Sequence, residues 1–260
     1  VTRCIGALLV RNEAAPDRYL ARALDNAAAF CDGIVVLDDA SDDETAAFCR
    51  AHPAVLRVET RSTNGVGWWG ATVQSDGESH ARARLWAMAA EAAGADGWVY
   101  VLDADHELVG ISPADFRTLL RATEVNAWAC PLWDCWGGDD KMRVDGYWQA
   151  HRHPRPWLAR ALPRRAFVPS WGDGRAIHAG HLPPNYPLVT GLMPPGAAIR
   201  HLGYCDPQAR LQKARRYVSL GRIADGGQLD DFAYAHAMTV ADPTPPAVVE
   251  RRRRTSASAS

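Results

Sequence analysis

A chain of 260 residues with 47% apolar side chains and a formal net charge of −1 can bury a sizeable core as one large α/β domain, or as one domain with an appendage. The near-zero charge offers no global field toward nucleic acid or an anionic membrane, and no apolar run approaches the ~20 residues of a bilayer span. The expectations are therefore no nucleic-acid partner, no transmembrane segment and a cytoplasmic location. The six cysteines, at 4, 31, 49, 130, 135 and 205, form no C-x-x-C pair and read as reduced, packed thiols rather than a disulfide framework.

The first apolar stretch, residues 4–10, reads as a strand rather than a signal peptide, ending at Arg11-Asn12-Glu13. Pro16 opens a helix to about Phe30, with Tyr19, Leu20, Ala23, Leu24, Ala27 and Phe30 on one face. Residues 34–37 form a second buried strand that ends in Asp38-Asp39. The run Ala40-Ser41-Asp42-Asp43-Glu44-Thr45 supplies caps and first-turn acids for a helix through about Ala51. Residues 55–58 make a short third strand. Strand and helix alternating in this way predict a parallel, Rossmann-like half with right-handed crossovers.

Residues 60–78 break the rhythm, and the Asn64–Gly70 segment with Trp68 and Trp69 reads as a loop able to cap a ligand. A helix from Ser79 to Ala93 carries His80, Arg82 and Arg84 near its start. It leads into Trp98-Val99-Tyr100-Val101-Leu102, a strand buried on both faces, which stops at Asp103-Ala104-Asp105. In open α/β sheets ligands bind outside the carboxyl ends of the strands. Carboxylates there suit a hard divalent ion bridging to phosphate oxygens. Glycine-rich phosphate loops of the P-loop or G-x-G-x-x-G type are absent, which argues against a nucleotide triphosphatase or a dehydrogenase.

These pieces carry a resemblance. V-R-N-E at 10–13, L-D-D-A-S-D-D-E-T at 37–45, A-R-A-R-L-W-A-M at 81–88 and V-L-D-A-D at 101–105 resemble the family 2 glycosyltransferases of GT-A fold, of bacterial or phage type. The resemblance implies an α/β fold with a mostly parallel sheet flanked by helices, a smaller acceptor-side hairpin region and C-terminal helices. By it, Asn12 and Glu13 lie beside the nucleotide base, and Asp38 or Asp39 accepts a base N–H or ribose hydroxyl. Arg84, closer than Arg82 to the family's spacing from Asp103, is the arginine that orients acids or phosphates. Asp103 and Asp105 hold Mn2+ or Mg2+ on the diphosphate of a nucleoside-diphosphate sugar.

In the second half, Ser112-Pro113 is an N-cap and N1 pair opening a helix to about Ala122. Residues 125–136 read as a strand, followed by the polar turn Gly137-Gly138-Asp139-Asp140 and another strand near Tyr147-Trp148-Gln149. The resemblance gives this hairpin the acceptor contacts. His151, His153, His178 and His181 are clustered in sequence, but they lack the i, i+4 pairing or carboxylate companion of a zinc site. His201-Leu202-Gly203-Tyr204 with Lys213, Arg216 and Tyr217 looks like the H-x-G-Y…K-x-x-R-Y block of one bacterial branch of the family. By that resemblance His201 is the third metal ligand, and Lys213 and Arg216 face phosphate oxygens.

The expectation is thus a metal-dependent, inverting glycosyltransferase of the EC 2.4 class that moves a sugar to an acceptor hydroxyl. The acceptor could be a glycan, lipid, natural product or protein. A carboxylate must then take the acceptor's proton; Asp134 is the first choice, with Asp139 and Asp140 behind it. The acid that relatives carry after the histidine matching His178 is here Ala179. A non-catalytic nucleotide-sugar-binding protein and a metal-dependent sugar nucleotidyltransferase are the alternatives. The division expected is a nucleotide-sugar half over 1–110, an acceptor-side half over 111–240 and a disordered tail over 241–260 with four arginines at 251–254.

Overall fold

The computed structural model describes residues 2–15, 18–61, 78–146, 148–162, 180–183, 186–187, 189–219 and 248–250, with side chains in the last helix described as far as Lys213 and those of 248–250 left out. The expected loop at 64–70, His178 and the basic tail lie outside the described residues. The chain forms two compact units, each discontinuous in sequence: residues 1–130 with 154–199, and residues 131–153 with 200–260.

The first unit has the expected α/β class. Its strands are β1 (Cys4–Val10), β2 (Gly33–Asp38), β3 (Val55–Thr60), β4 (Trp98–Asp103), β5 (His106–Val109), β6 (Ala127–Cys130), β9 (Arg155–Arg160) and β10 (Thr190–Leu192). Seven of these form one sheet in the order β10-β6-β9-β4-β1-β2-β3. The β4-β1-β2-β3 block is parallel, β9 runs antiparallel to both β4 and β6, and β10 is parallel to β6. The helices are α1 (Leu20–Phe30), α2 (Thr45–Ala51), α3 (Glu78–Ala93) and α4 (Pro113–Leu119).

Both faces of the central strands are covered, which is why β1 and β2 read as unbroken apolar runs. Ile5, Ala7, Leu9, Val35, Leu37, Val99 and Val101 pack on one face against Leu85, Trp86, Met88 and Ala89 of α3. On the other, Tyr100 meets the edge of Phe116 in α4 at 5.9 Å between ring centroids, and Phe116 meets Phe30 of α1 at 5.1 Å. Ser112 caps α4 as expected, its Oγ accepting the Asp115 N–H at 3.1 Å.

The sheet order contains a reversal. From β1 the chain moves outward through β2 to β3, then returns to lay β4 on the opposite side of β1. Ligands of open α/β sheets lie at such a switch point, outside the carboxyl ends. Register keeps those ends level: Leu9 pairs with Asp103 and Val10 with Asp38.

In the second unit, β7 (Leu132–Asp134) turns through Gly137, whose φ is +69°, into β8 (Lys141–Arg143). β12 (Val248–Glu250) pairs antiparallel with β8. The helix α5 (Pro207–Ser219) follows β11 (Ala198–His201), whose last two residues belong to this unit. Two expectations are corrected here. The strand expected over 125–136 is two strands, β6 and β7, broken at Pro131, which has no N–H to give a ladder. The chain after β7 folds back on β8, through an antiparallel bridge between Cys135 and Met142 and the Trp136 N–H to the Lys141 carbonyl at 3.1 Å, rather than on a strand near 147–149, where Trp148 and Gln149 lead into a 3-10 turn, Ala150–Arg152.

Candidate functional site at the carboxyl edge of the sheet

The loops after β1 and β2 are sewn to each other. Asn12 N–H donates to Ser41 Oγ at 3.0 Å, Asn12 Oδ1 accepts the Asp42 N–H at 3.1 Å, and Glu13 N–H donates to Thr45 Oγ1 at 2.7 Å. Ala14 N–H reaches Asp43 Oδ2 at 3.2 Å, and Arg11 donates to the carbonyls of Asp39 and Ala40. Asn12 and Ala40 sit at φ of 53° and 57°, the left-handed region that costs a residue with a Cβ about 1–2 kcal/mol. Strain of this kind collects where the surroundings over-determine a functional loop.

The acid pair after β2 divides its work. Asp38 accepts from the Ser41 hydroxyl and so builds the loop. Asp39 is fully buried and takes Arg61 Nη1 on Oδ1 at 2.5 Å. Asp43, despite the burial that opposes ionisation, is held below the usual carboxylate range by the Thr45 hydroxyl and by backbone N–H groups of Thr45 and Ala14.

At the end of β4 the two oxygens of Asp103 face different partners. Oδ1 accepts Arg82 Nη2 at 2.8 Å; Oδ2 faces His181 Nε2 at 3.0 Å, with His106 Nε2 at 3.9 Å. Burial pushes the Asp103 carboxyl up, but Arg82 and His181 outweigh it and hold it well below the usual carboxylate range. Arg82 is itself buried, and its Nε donates one helical turn back to Glu78, also buried, at 3.0 Å. Burial works against its charge; Asp103 and Glu78 reverse that and raise its pKa. One guanidinium nitrogen, Arg82 Nη1, is buried without a hydrogen-bond partner among the described residues. Buried N–H groups are seldom left so, and a phosphate oxygen would satisfy it. Asp105, half-buried, lies with Oδ1 3.7 Å from His106 Nε2. Asp103, His106 and His181 present donor atoms all within 4.8 Å of one another. Carboxylate and imidazole donors at that spacing, beside a buried N–H without a partner among the described residues, fit a divalent ion carrying phosphate.

Arg84 does not take the place expected of it. Its Nε and Nη2 both reach Glu59 of β3 at 2.7 Å on the exposed side of α3. At 100° per residue Arg84 lies about 200° round the helix from Arg82. It is Arg82 that shares the buried face of Glu78, Leu85 and Trp86 and reaches Asp103. Sequence reasoning also passed over Glu78, His106 and Arg61, and set His181 aside with the other clustered histidines for want of a carboxylate companion. The i, i+4 spacing of Glu78 and Arg82 was a legible signal for the first; His181 had none, since its partner lies 78 residues away.

In the second unit Asp134, the expected base, is hydrogen-bonded through Oδ1 to His201 Nδ1 at 2.8 Å. Asp140 is exposed, and Asp139 takes Arg200 Nη1 on its carbonyl at 3.3 Å. Lys213 Nζ stands 4.4 Å above the Tyr204 ring, and the side chain of Arg216 lies outside the described residues. The ring of His201 meets the edge of Tyr204 at 4.7 Å. All six cysteines are free thiols, five of them buried, and among the described residues no helix is long and apolar enough to cross a membrane.

No family model matches the chain. It is 30% identical over 211 residues to the uncharacterised proteins Rv3786c of Mycobacterium tuberculosis and Mb3815c of Mycobacterium bovis, covering 78% of this chain and 47% of each of theirs. The chain thus spans about half the length of the curated relatives it matches. Among solved structures it aligns with S. aureus TarS 1–349 at a TM-score of 0.48 and 13% identity, over 90% of this chain and 73% of that one. The complex of the same protein with UDP-GlcNAc gives 0.47 and 11%, over 90% and 74%. Glucosyl-3-phosphoglycerate synthase from Mycobacterium tuberculosis, with Mn2+, UDP-glucose and phosphoglyceric acid, gives 0.34 and 22%, over 53% and 45%.

Proposed function

We propose that the chain is a metal-dependent glycosyltransferase of GT-A layout, which moves a sugar from a nucleoside-diphosphate sugar to an acceptor hydroxyl with inversion. The observation that carries this reading is the arrangement at Asp103. An acid pair closes the central strand at the sheet's switch point, with one oxygen locked by a buried arginine that keeps an N–H to spare. The sewn loops after β1 and β2, level with it along the same edge, offer the nucleoside a rigid floor, with Asn12, Glu13, Asp38 and Asp39 around it.

A divalent ion, Mn2+ or Mg2+, would be held by Asp103 and Asp105 and would supply positive charge to the leaving diphosphate. Arg82 donates from Nη1 to a phosphate oxygen while Nη2 fixes Asp103. In the second unit His201, kept by sequence resemblance as a third ligand, has its ring tautomer set by Asp134. A carboxylate that orients an imidazole in this way is less available as a base, so Asp140 stands beside Asp134 for removal of the acceptor's proton. Lys213 and Arg216 are assigned to the diphosphate by resemblance alone.

The test is a thermal-shift series with UDP, GDP, TDP and CMP, each with and without Mn2+. Mass action raises the melting point when the folded state binds. The expected result is a shift with one diphosphate that needs Mn2+ and is lost in Asp105→Ala. No shift with any of them, or an undiminished shift in Asp105→Ala, sinks the reading. Turnover of the matching nucleotide sugar, with release of the nucleoside diphosphate and no pyrophosphate, then separates a transferase from a non-catalytic binder and from a nucleotidyltransferase.

A further inference from the structure

We propose that His181 is an imidazole ligand of the divalent ion at Asp103, and that it makes the site prefer Mn2+ over Mg2+. The inference rests on the donor-site reading above and adds a ligand from the segment after β9.

Four observations converge on it. First, Arg82 occupies Asp103 Oδ1, so Oδ2 is the oxygen left to face a metal, and the imidazole nitrogen nearest to it is His181 Nε2 at 3.0 Å. Two donors on one ion, each about 2.1 Å from it, stand about 3 Å apart when adjacent and about 4.2 Å apart when opposite. The observed 3.0 Å separation of Asp103 Oδ2 and His181 Nε2 is that of neighbouring ligands.

Second, His106 is committed elsewhere. Its Nδ1 accepts the Asp103 N–H at 3.3 Å. A neutral ring that accepts at Nδ1 carries its proton on Nε2, and Nε2 is the atom turned toward Asp103 and Asp105. His106 therefore turns an N–H rather than a lone pair toward the acid pair, at 3.7–3.9 Å, and the ligating imidazole is His181.

Third, the His181 ring is pre-set by packing. It lies 4.6 Å from the Trp157 ring and 5.7 Å from the His106 ring, centroid to centroid. Trp157 is fully buried and pinned by its Nε1 to the Cys130 carbonyl at 3.0 Å. Fourth, Arg82, which binds the other oxygen of Asp103, has a buried Nη1 with no hydrogen-bond partner among the described residues, an N–H that an anionic ligand of the ion could take.

The consequence is chemical selectivity. Mg2+ takes oxygen ligands and gives up its water reluctantly, whereas imidazole suits the first-row transition ions. A site of carboxylates alone would discriminate little; one with His181 favours the softer ion.

The experiment uses the full chain and titrates Mn2+ and Mg2+ separately, each with and without UDP, by calorimetry, with pulsed electron paramagnetic resonance of bound Mn2+ to detect nitrogen in its shell. His181→Gln keeps a hydrogen bond to Asp103 but is a poor metal ligand, so it separates a ligand from a mere cap. The expected result is wild-type Mn2+ affinity at least tenfold above that for Mg2+, with Mn2+ affinity falling about tenfold in His181→Gln while Mg2+ affinity stays within about threefold. The nitrogen modulation should weaken in the same variant. Unchanged Mn2+ affinity and nitrogen signal in a folded His181→Gln overturn the inference, while loss of Mn2+ binding in Asp103→Asn would still uphold the donor site. Wild type that binds neither ion overturns both.

Discussion

Replacing Arg82 with methionine keeps the stem that packs on the buried face of α3 and removes the charge. Two bonds go: Nε to Glu78 at 3.0 Å and Nη2 to Asp103 at 2.8 Å. Glu78 has 4% of its side chain exposed and Asp103 has 32%. The glutamate is therefore the carboxylate left stranded, while Asp103 keeps His181 and some water. Breaking a buried pair by removing one partner costs about 3–5 kcal/mol, and the half-solvated aspartate puts this case near about 3. For a unit of this size each kcal/mol moves the melting point by about 2–4 °C, so the expected fall is about 6–12 °C, read by tryptophan fluorescence on heating. The double variant Glu78→Gln/Arg82→Met removes the stranded charge and should recover more than half of the loss. A fall under about 2 °C, or a double variant no better than the single one, refutes the reasoning, because the triad would then not be a buried and coupled set.

Three further outcomes are expected. Ala40→Gly relieves a left-handed φ of 57° and should stabilise the protein by up to about 1 kcal/mol; a loss of stability in chemical denaturation would show that the methyl group packs usefully. At pH 8 iodoacetamide should label Cys205, which is part-exposed, and leave Cys49 and Cys130 untouched, since burial pushes both of those thiols up to about 12; mass spectrometry of the native protein after brief exposure decides it. Burial raises the Asp32 carboxyl, but Arg117 at 2.9 Å and the Cys4 N–H at 2.7 Å bring it below its ordinary value. A depressed carboxylate contributes stability in full above its unfolded pKa of about 3.9 and loses it as pH falls toward the folded value. The urea midpoint should thus drop between pH 5 and pH 3 less steeply in Asp32→Asn than in wild type, and parallel curves would count against the pairing.

The strand and helix order as far as β4 was legible because β1, β2 and β4 are buried on both faces and read as apolar runs bounded by acids and caps, whereas β5 was not expected. Ser112 announced α4, and Asp38-Asp39 and Asp103-Ala104-Asp105 announced the carboxyl ends of β2 and β4. What escaped reading depended on direction or distance. Spacing along the chain favoured Arg84, but the angle between Arg82 and Arg84 around α3 decides which is buried, and that is Arg82. Pro131 was read through, although its missing N–H was the one local signal that the apolar run changes sheets. His181 lacked a carboxylate companion within its own stretch; Asp103 supplies one from the far side of the sequence. Asp134 was read as a base from its position, but its hydrogen bond to His201 belongs to the tertiary fold.

The sewing of the two edge loops has a consequence for how this chain can vary. Surface loops are ordinarily where insertions are tolerated. Here each backbone N–H from Asn12 to Ala14 has its acceptor in the 41–45 segment, and Asn12 returns a bond to Asp42. One extra residue in either loop would slide every donor off its acceptor at once. The two segments, some 30 residues apart in sequence, are therefore tied to a common length. Homologues of this chain should change both loops together or neither.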